Sequence, residues 1–365
     1  MTESISPEKS NIIRTFAPGW FASVMGTAVM VIAIFVFRAY VPLADGLQLF
    51  FLALSLLMMV VFLIPWTLRW LLYFDDAKQE LHHPVTSAFF PTMPISLIIW
   101  GIALEKAGPL FLSHETILPI LQGLWIAGTA GITVFAFIIL RIHFLEGYAQ
   151  WKSANLGWLI PPVSALIVPL LGMSLAVSYA GTTMGDTNFI VSLIFLGVGS
   201  FLFLFVMGAV FTRYIFHDLL PAHLAPTAWI GVAPTAILSV IMVKMVKPTM
   251  LFFDAPAEVG TVLGVLSKIT AVSLWGFAFF WLLFAATLTI GHHKKVAIPY
   301  AMSWWAFAFP LGSFIVATGV MFGAMGSAFF LWVGLTALAA FGVIWLIVSG
   351  QTVKAVISRE IFASD

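Results

Sequence analysis

The chain has 365 residues, of which 62% are hydrophobic and only 8% carry a charge. A soluble domain of that composition would lack a polar surface, so the composition is typical of a membrane protein with many spanning helices. The net charge of +1 excludes the basic surface that nucleic-acid binding requires, and the absence of cysteine excludes disulfides and thiolate metal sites.

Ten apolar segments are long enough to cross a hydrocarbon core of about 30 Å. In chain order the predicted spans are residues 18–37, 46–72, 91–112, 116–140, 157–180, 188–212, 226–246, 269–290, 298–322 and 327–349. We therefore predict an all-α integral membrane protein. A ten-helix transmembrane domain, residues 17–350, is expected between an N-terminal tail, 1–16, and a C-terminal tail, 351–365.

The distribution of lysine and arginine predicts that both termini are cytoplasmic. With the N-terminus inside, the inner segments hold eleven of the sixteen basic residues, and the outer segments hold four: Arg38, Lys106, Lys244 and Lys247. The sixteenth, Lys268, precedes the eighth span and is expected to extend its ammonium to the outer surface. We expect the protein to lie in a plasma membrane or bacterial inner membrane.

Prolines are concentrated in the odd-numbered spans, whereas the even spans carry only Pro65 near an end and Pro119 near a start. The odd spans contain Pro18, Pro91, Pro94, Pro161, Pro162, Pro169, Pro226, Pro234, Pro299 and Pro310. A proline breaks helical hydrogen bonding, and such a break is tolerated in a membrane where protein shields it from lipid. The pattern predicts five hairpins, each with a kinked inner helix and a straight outer helix.

Residues 303–314, S-W-W-A-F-A-F-P-L-G-S-F, place Pro310 near the middle of the ninth span. Phe307 and Phe309 flank it, and small residues share its helix face, so this helix is expected to line a narrow path with a ring beside it. Packing is the alternative interpretation, because 35 of the 365 residues are phenylalanine.

The predicted spans contain almost no charge, which argues against a cation carrier. We predict instead a path lined by small and hydroxyl-bearing residues, which suits anions better than cations. The predicted lining residues are Gly26, Thr27, Ser96, Ser164, Thr235, Ser239, Pro310 and Ser313. Seven of the eight histidines fall on the predicted cytoplasmic side, so a membrane metalloenzyme is an alternative, but their spacing is not that of metal ligands and we predict no metal site.

Four stretches in this order resemble the tellurite-resistance/dicarboxylate transporter family, which includes the slow anion channels of plant guard cells, the yeast malate permease and the fungal sulfite pump. They are A-P-G-W-F-A-S-V-M-G-T at 17–27, H-P-V-T-S-A-F-F at 83–90, R-Y-I-F-H-D-L-L-P at 213–221 followed by Pro226-Thr227 and 230–234, and W-W-A-F-A-F-P at 304–310. The resemblance implies a homotrimer in which each protomer has a central pore within five hairpins, occluded by a phenylalanine of the ninth helix.

A helical wheel does not decide which phenylalanine that is. With Pro310 at zero and about 100° per residue, the small residues centre near −20°, and Phe309 and Phe307 each lie about 80° from that direction. The family pattern favours Phe309. We expect an anion channel or uniporter for chloride, nitrate, sulfite or C4-dicarboxylates, with a proton-coupled dicarboxylate or sulfite carrier as the alternative. No catalytic residue, enzymatic activity or cofactor is expected.

Overall fold

The computed structural model describes residues 11–83, 85–146, 151, 154–218 and 220–362, and no β-strand occurs among them. The prediction of ten membrane-length helices is confirmed. They are α1 Pro18–Val36, α2 Ala44–Leu72, α3 Thr86–Leu110, α4 His114–Leu145, α5 Leu156–Ser178, α6 Thr183–Phe216, α7 Ala222–Lys244, α8 Ala257–Lys295, α9 Met302–Met325 and α10 Ala328–Ile357. The last helix continues past the predicted boundary at residue 350. Of the predicted tails, residues 1–10 and 363–365 lie outside the described residues.

The odd-numbered helices are inside and the even-numbered helices outside, as predicted. Between 72% and 83% of the residues in the apolar windows of the odd helices are buried, against 22% to 28% in the even helices. Around the centre, α1 packs on α3, α3 on α5, α5 on α7, α7 on α9, and α9 again on α1. The five inner helices therefore enclose a central axis, and the five outer helices separate them from lipid.

Each inner helix begins with a segment of 3₁₀ helix and then becomes α-helical. The 3₁₀ segments are Pro18–Trp20, Thr86–Phe89, Leu156–Leu159, Ala222–Val232 and Met302–Phe307. We call the side of the bundle where these segments lie the N face, because the inner helices begin there, and the other side the opposite face. A 3₁₀ stretch has poorer hydrogen bonding than an α-helix, so its place in the shielded inner helices is physically reasonable.

The break predicted at Pro310 takes the form of this change from 3₁₀ to α-helix rather than a kink within one continuous helix. The α-helical part of α9 is Ala308–Met325, so Pro310 is its third residue. Pro94 and Pro234 occupy the first turns of Thr92–Ala107 and Ala233–Lys244 in the same way. The first N–H groups of an α-helix have no partner within the helix, so proline costs little at these positions.

Tryptophan side chains join the inner helices to the outer helices. The Trp125 indole in α4 donates to the carbonyl of Val168 in α5 at 3.0 Å, and the Trp281 indole in α8 donates to the carbonyl of Ala228 in α7 at 3.0 Å. Further bonds between an inner and an outer helix are Trp100 to Leu52, Trp229 to Thr289, Trp275 to Thr318, Trp305 to Thr352 and Trp345 to Thr27. Because an unpaired N–H is costly in a membrane, each bond fixes the relative positions of two helices.

A buried ion pair at the N face holds the segment that leads into α1. Arg69 of α2 donates to the carbonyl of Phe16 at 2.8 Å and pairs with Glu80, on the short helix Phe74–Leu81, at 2.5 Å. Burial raises the pKa of Glu80 above its ordinary value, and the Arg69 guanidinium opposes that rise.

We expect Arg69→Met to lower the free energy of unfolding by about 3 kcal/mol, because it leaves the Glu80 carboxylate buried without its partner. Arg69→Met/Glu80→Gln should recover part of that loss. Unfolding of purified protein in mild detergent measures both variants, and equal losses in the single and double variants would contradict the ion-pair assignment.

The loss of unfolding free energy caused by Arg69→Met should also depend on pH. Since the pKa of Glu80 is raised in the folded protein, the folded state binds the proton more readily than the unfolded state does, and stability is lost as pH rises through the folded pKa. The loss of unfolding free energy in Arg69→Met should therefore be larger at pH 8 than at pH 5. Glu80→Gln has no ionisable group at this position, and the double variant should show no such difference.

Candidate functional site: a path along the axis

Two cavities lie between the five inner helices. The larger has a volume of about 350 Å³ and is lined by the halves of these helices nearer the opposite face, and the smaller, about 40 Å³, is lined by the halves nearer the N face. The Phe309 side chain is in the wall of both cavities. The two cavities therefore follow one another along the axis with Phe309 between them, and we call the two together the path.

Equivalent positions of the five inner helices form five rings of side chains along this path. From the N face, ring 1 is Ala22, Thr92, Ile160, Ile230 and Ala306; ring 2 is Met25, Ile95, Val163, Ala233 and Phe309; ring 3 is Val29, Ile99, Ile167, Ile237 and Ser313; ring 4 is Ile32, Ile102, Leu170, Val240 and Val316; and ring 5 is Val36, Lys106, Ser174, Lys244 and Val320. Within every inner helix these positions follow the spacing i, i+3, i+7, i+10 and i+14, which is one face of an α-helix. All members of rings 1 to 4 line a cavity, as do four members of ring 5.

Phe309 is the only aromatic residue in the five rings. The four other members of ring 2, Met25, Ile95, Val163 and Ala233, have smaller or more flexible side chains. Only 7% of Phe309 is exposed, so its ring fills the space between the two cavities. The two cavities are therefore separated at the level where one helix contributes a phenyl group.

Phe307 lies in a different environment. Its ring packs edge-on against Trp229 at 5.2 Å and against Trp304 at 6.0 Å, and neither cavity has it among its described lining residues. The cavity face of α9, formed by Phe309, Ser313, Val316 and Val320, centres at about −90° on the wheel that has Pro310 at zero. Phe309 is close to that centre, whereas the small residues used for the sequence-based wheel mark a different direction.

Of the predicted lining residues, Ser313 lines the larger cavity and Pro310 the smaller one. Two predicted hydroxyls instead contact outer helices: Thr27 accepts from the Trp345 indole of α10 at 3.2 Å, and Ser239 donates to the carbonyl of Ala271 in α8 at 2.8 Å.

The three remaining hydroxyls are also absent from the described cavity walls. Ser96 donates to the carbonyl of Met93 at 2.6 Å and Ser164 to that of Pro161 at 2.5 Å, each within its own helix, while Thr235 is buried. Of the six predicted hydroxyls, only Ser313 is therefore among the described lining residues of the two cavities. Ser96 and Ser164 each bind a carbonyl of their own helix, whereas the buried Thr235 hydroxyl has no hydrogen-bond partner among the described residues. Aliphatic side chains form most of the wall.

A charged cluster beside ring 5 was not predicted from the sequence. One oxygen of Glu105, in α3, accepts from Lys106 at 3.1 Å and from Ser174 of α5 at 2.7 Å, and its other oxygen lies 4.0 Å from the ammonium of Lys244 in α7. Lys244 donates to the carbonyl of Leu170 at 2.5 Å. Both lysines line the larger cavity, whereas the charge count assigned them to outer segments.

A signal for these lysines was present in the sequence. Ile99, Ile102 and Lys106 have the same spacing as Ile237, Val240 and Lys244. The described residues contain no group of three or more His, Asp or Glu side chains placed to hold a metal ion.

Residues 15–353 match the voltage-dependent anion channel (SLAC1) family, which is nearly the whole chain. The chain belongs to this family. Two uncharacterized transporters of Methanocaldococcus jannaschii are 29% and 30% identical to it; the first match covers 97% of both chains, and the second covers 96% of this chain and 97% of the relative. A sulfite efflux pump of Arthroderma benhamiae is 25% identical over 96% of this chain and 93% of its own length. An S-type anion channel of Arabidopsis thaliana is 23% identical over 89% of this chain but only 45% of its own length.

Gly26, predicted to line the path, lies at a helix contact and is not among the described lining residues of the two cavities. A Cβ atom at this position would lie 2.9 Å from the Cβ of Ala308 and 2.9 Å from the Trp305 ring of α9. The absence of a side chain therefore allows α1 and α9 to approach closely.

We expect Gly26→Ala to lower the free energy of unfolding by about 1–3 kcal/mol, because the added methyl group overpacks this contact. Gly323→Ala, in the exposed part of α9 where nothing lies within 4 Å of an added Cβ, is the control and should be neutral or slightly stabilising. Thermal unfolding in detergent compares them. An unchanged Gly26→Ala stability together with altered anion flux would return Gly26 to the path.

Proposed function

We propose that this protein is an anion channel or uniporter of the SLAC1 family, and that the Phe309 ring closes its path at rest. The observation that carries the proposal is the position of Phe309: it belongs to the wall of both cavities and is the only aromatic member of the five rings. Removing that one ring would join two spaces that are already lined by all five inner helices.

The charge of the path supports an anion as the transported species. None of the five rings contains a carboxylate, and their only charged members are Lys106 and Lys244. A path with basic side chains and no acidic ones attracts anions and repels cations. Relatives of this chain are named for an anion channel and for the efflux of sulfite, which agrees with that preference.

The proposed closure follows from size and solvation. The rings next to Phe309 are apolar except for Thr92 and Ser313, and both of these hydroxyls donate to backbone carbonyls, so the constriction offers a hydrated anion few hydrogen-bond donors. An ion that loses its water without replacement meets a large energetic barrier, and a hydrophobic constriction excludes water as well.

We expect Phe309→Ala to raise anion flux by about tenfold or more, because the alanine leaves an open connection between the two cavities. Flux of chloride and nitrate into liposomes that hold equal amounts of folded protein measures this effect.

Phe307→Ala is the matched control, since it removes the same ring two residues away. It should leave flux near that of the parent and lower stability, by less than the roughly 3–5 kcal/mol of a fully buried phenylalanine because Phe307 is only partly buried. A large rise only for Phe307→Ala would transfer the role to that residue. No rise for either would remove the phenylalanine gate.

A proton-coupled carrier is the second candidate, because the sulfite efflux pump aligns with this chain over nearly its full length. The two candidates differ in their energetics. Currents of a channel or uniporter reverse at the equilibrium potential of the anion, whereas those of a coupled carrier shift with an imposed proton gradient. The same liposomes, with and without a pH difference, distinguish them for nitrate, sulfite and malate.

We also propose that the protein forms a homotrimer with one path in each protomer. The outer helices present long, exposed apolar faces, for example Phe201, Leu204 and Phe205 of α6, which are available to neighbouring protomers as well as to lipid. Native mass measurement in mild detergent should give three times the chain mass of 39.9 kDa. A monomer under every mild condition would contradict the proposal.

The proposed orientation places the N face, where Phe16 and Phe362 pack on Trp20, in the cytoplasm of a plasma or bacterial inner membrane. The sequence-based count, which gives the segments of that side eleven of the sixteen basic residues, supports it.

A further inference from the structure

Ring 5, at the end of the path near the opposite face, differs chemically from the other four. Two of its five positions are lysines, Lys106 of α3 and Lys244 of α7, and the position between them, on α5, is Ser174. Rings 1 to 4 contain no charged side chain. Positive charge in the path is therefore confined to one end.

The cluster around ring 5 carries a surplus of one positive charge. Lys106 and Lys244 each carry one, and Glu105 beside the ring balances one of them. The positive region extends outward from Lys106 to Arg38. Both cations lie over the ring of Phe35, the Lys106 ammonium 5.6 Å and the Arg38 guanidinium 4.9 Å from the ring centre, and Arg38 is exposed at the surface. Such an arrangement raises the local concentration of anions.

The bonding of Lys244 leaves its ammonium available to an additional ligand. Its 2.5 Å hydrogen bond goes to a neutral acceptor, the Leu170 carbonyl, whereas the nearest oxygen of Glu105 is 4.0 Å away and has no hydrogen-bond partner among the described residues. An ammonium group has three donors, and charge-assisted bonds to an anion are stronger than bonds to a neutral carbonyl. An anion in the cavity can therefore compete for Lys244.

We propose that ring 5 is a binding site for a small singly charged anion at the mouth of the path, where Lys244 exchanges the Leu170 carbonyl for the anion. Lys106 supplies the second cation. Glu105 limits the surplus to one positive charge, so that a single negative charge balances the site. The proposal rests on the proposed function for its role in transport, but binding itself is measured separately.

In this site the negative charge of Glu105 determines whether singly or doubly charged anions are preferred. Glu105→Gln raises the surplus from one positive charge to two while keeping the bond that Ser174 donates. Affinity for a doubly charged anion should then rise more than affinity for a singly charged one, since the added Coulomb attraction scales with the charge of the ligand.

The binding test uses the full-length protein in detergent with gluconate as the background anion. Nitrate should raise the melting temperature, because a ligand that binds only the folded state stabilises it in proportion to the logarithm of its concentration above Kd. Lys244→Met should raise the nitrate concentration needed for a given shift by about tenfold. Lys244→Arg should stay within about threefold of the parent, since it retains the charge.

Lys247→Met is the matched control, because Lys247 is exposed and follows Lys244 by less than one helical turn. It removes the same charge from the same end of the protein and should leave the nitrate concentration unchanged. Equal effects of Lys244→Met and Lys247→Met would overturn the site, since general surface charge would then explain both. If Lys244→Met fails to fold, the test uses Lys244→Arg and Glu105→Gln instead. The proposal would then be overturned if Glu105→Gln did not increase the affinity for sulfate more than the affinity for nitrate.

Flux through Phe309→Ala separates this site from the proposed function. If that variant conducts and its half-saturating nitrate concentration rises about tenfold with Lys244→Met, both proposals are supported. Conduction with an unchanged half-saturating concentration would overturn the site and leave the function intact. If no anion is conducted but the Lys244-dependent thermal shift is present, the site stands and the proposed function fails.

Discussion

The shielding of five helices from lipid by five others is the constraint on which the rest of the structure depends. Lipid cannot satisfy a free N–H or carbonyl group, so irregular backbone is restricted to helices surrounded by protein. The 3₁₀ segments at the N face and the prolines in the first turns that follow, such as Pro234 and Pro310, all belong to inner helices. The tryptophan bonds from the outer helices then fix these inner helices, for example Trp281 to Ala228.

The same packing is the basis for proposing that one side chain controls the path. The five parallel inner helices present equivalent positions, so each ring receives one side chain from every helix. The space left open within a ring therefore depends on the summed sizes of its five side chains. Val163 and Ala233 leave room in ring 2 that the Phe309 ring occupies. A symmetric ring of five medium-sized side chains would have to move on several helices to open. In the proposed gate, by contrast, movement of one phenyl group would be enough.

Most of the fold could be predicted from the sequence, because hydropathy and proline placement are local signals whose cause, the lipid environment, acts on every span. The candidate path could not be predicted in the same way. Hydroxyl groups such as Thr27 and Ser239 were expected to face it, but in a dry interior each binds the nearest acceptor or donor, which belongs to an outer helix. The wheel of α9 was centred on small residues, of which Ala306 and Ser313 line the cavities, so its centre is offset from the middle of the cavity face. Only alignment of the inner helices with one another reveals the common face, and with it Lys244.

The placement of charge at one end follows from what conduction requires. In the proposed path, an anion in rings 2 to 4 would have lost most of its water, and a lysine there would bind it so tightly that it could not leave. At ring 5 the cavity is near the surface, water and Glu105 weaken the attraction, and Lys244 has the Leu170 carbonyl as a replacement partner when the anion departs. The N-face end has no equivalent: the Thr92 hydroxyl of ring 1 donates to the backbone at Pro18 or Phe89. The two end rings of the path therefore differ, ring 5 being cationic and ring 1 uncharged, and the path is asymmetric even though its five helices repeat one pattern.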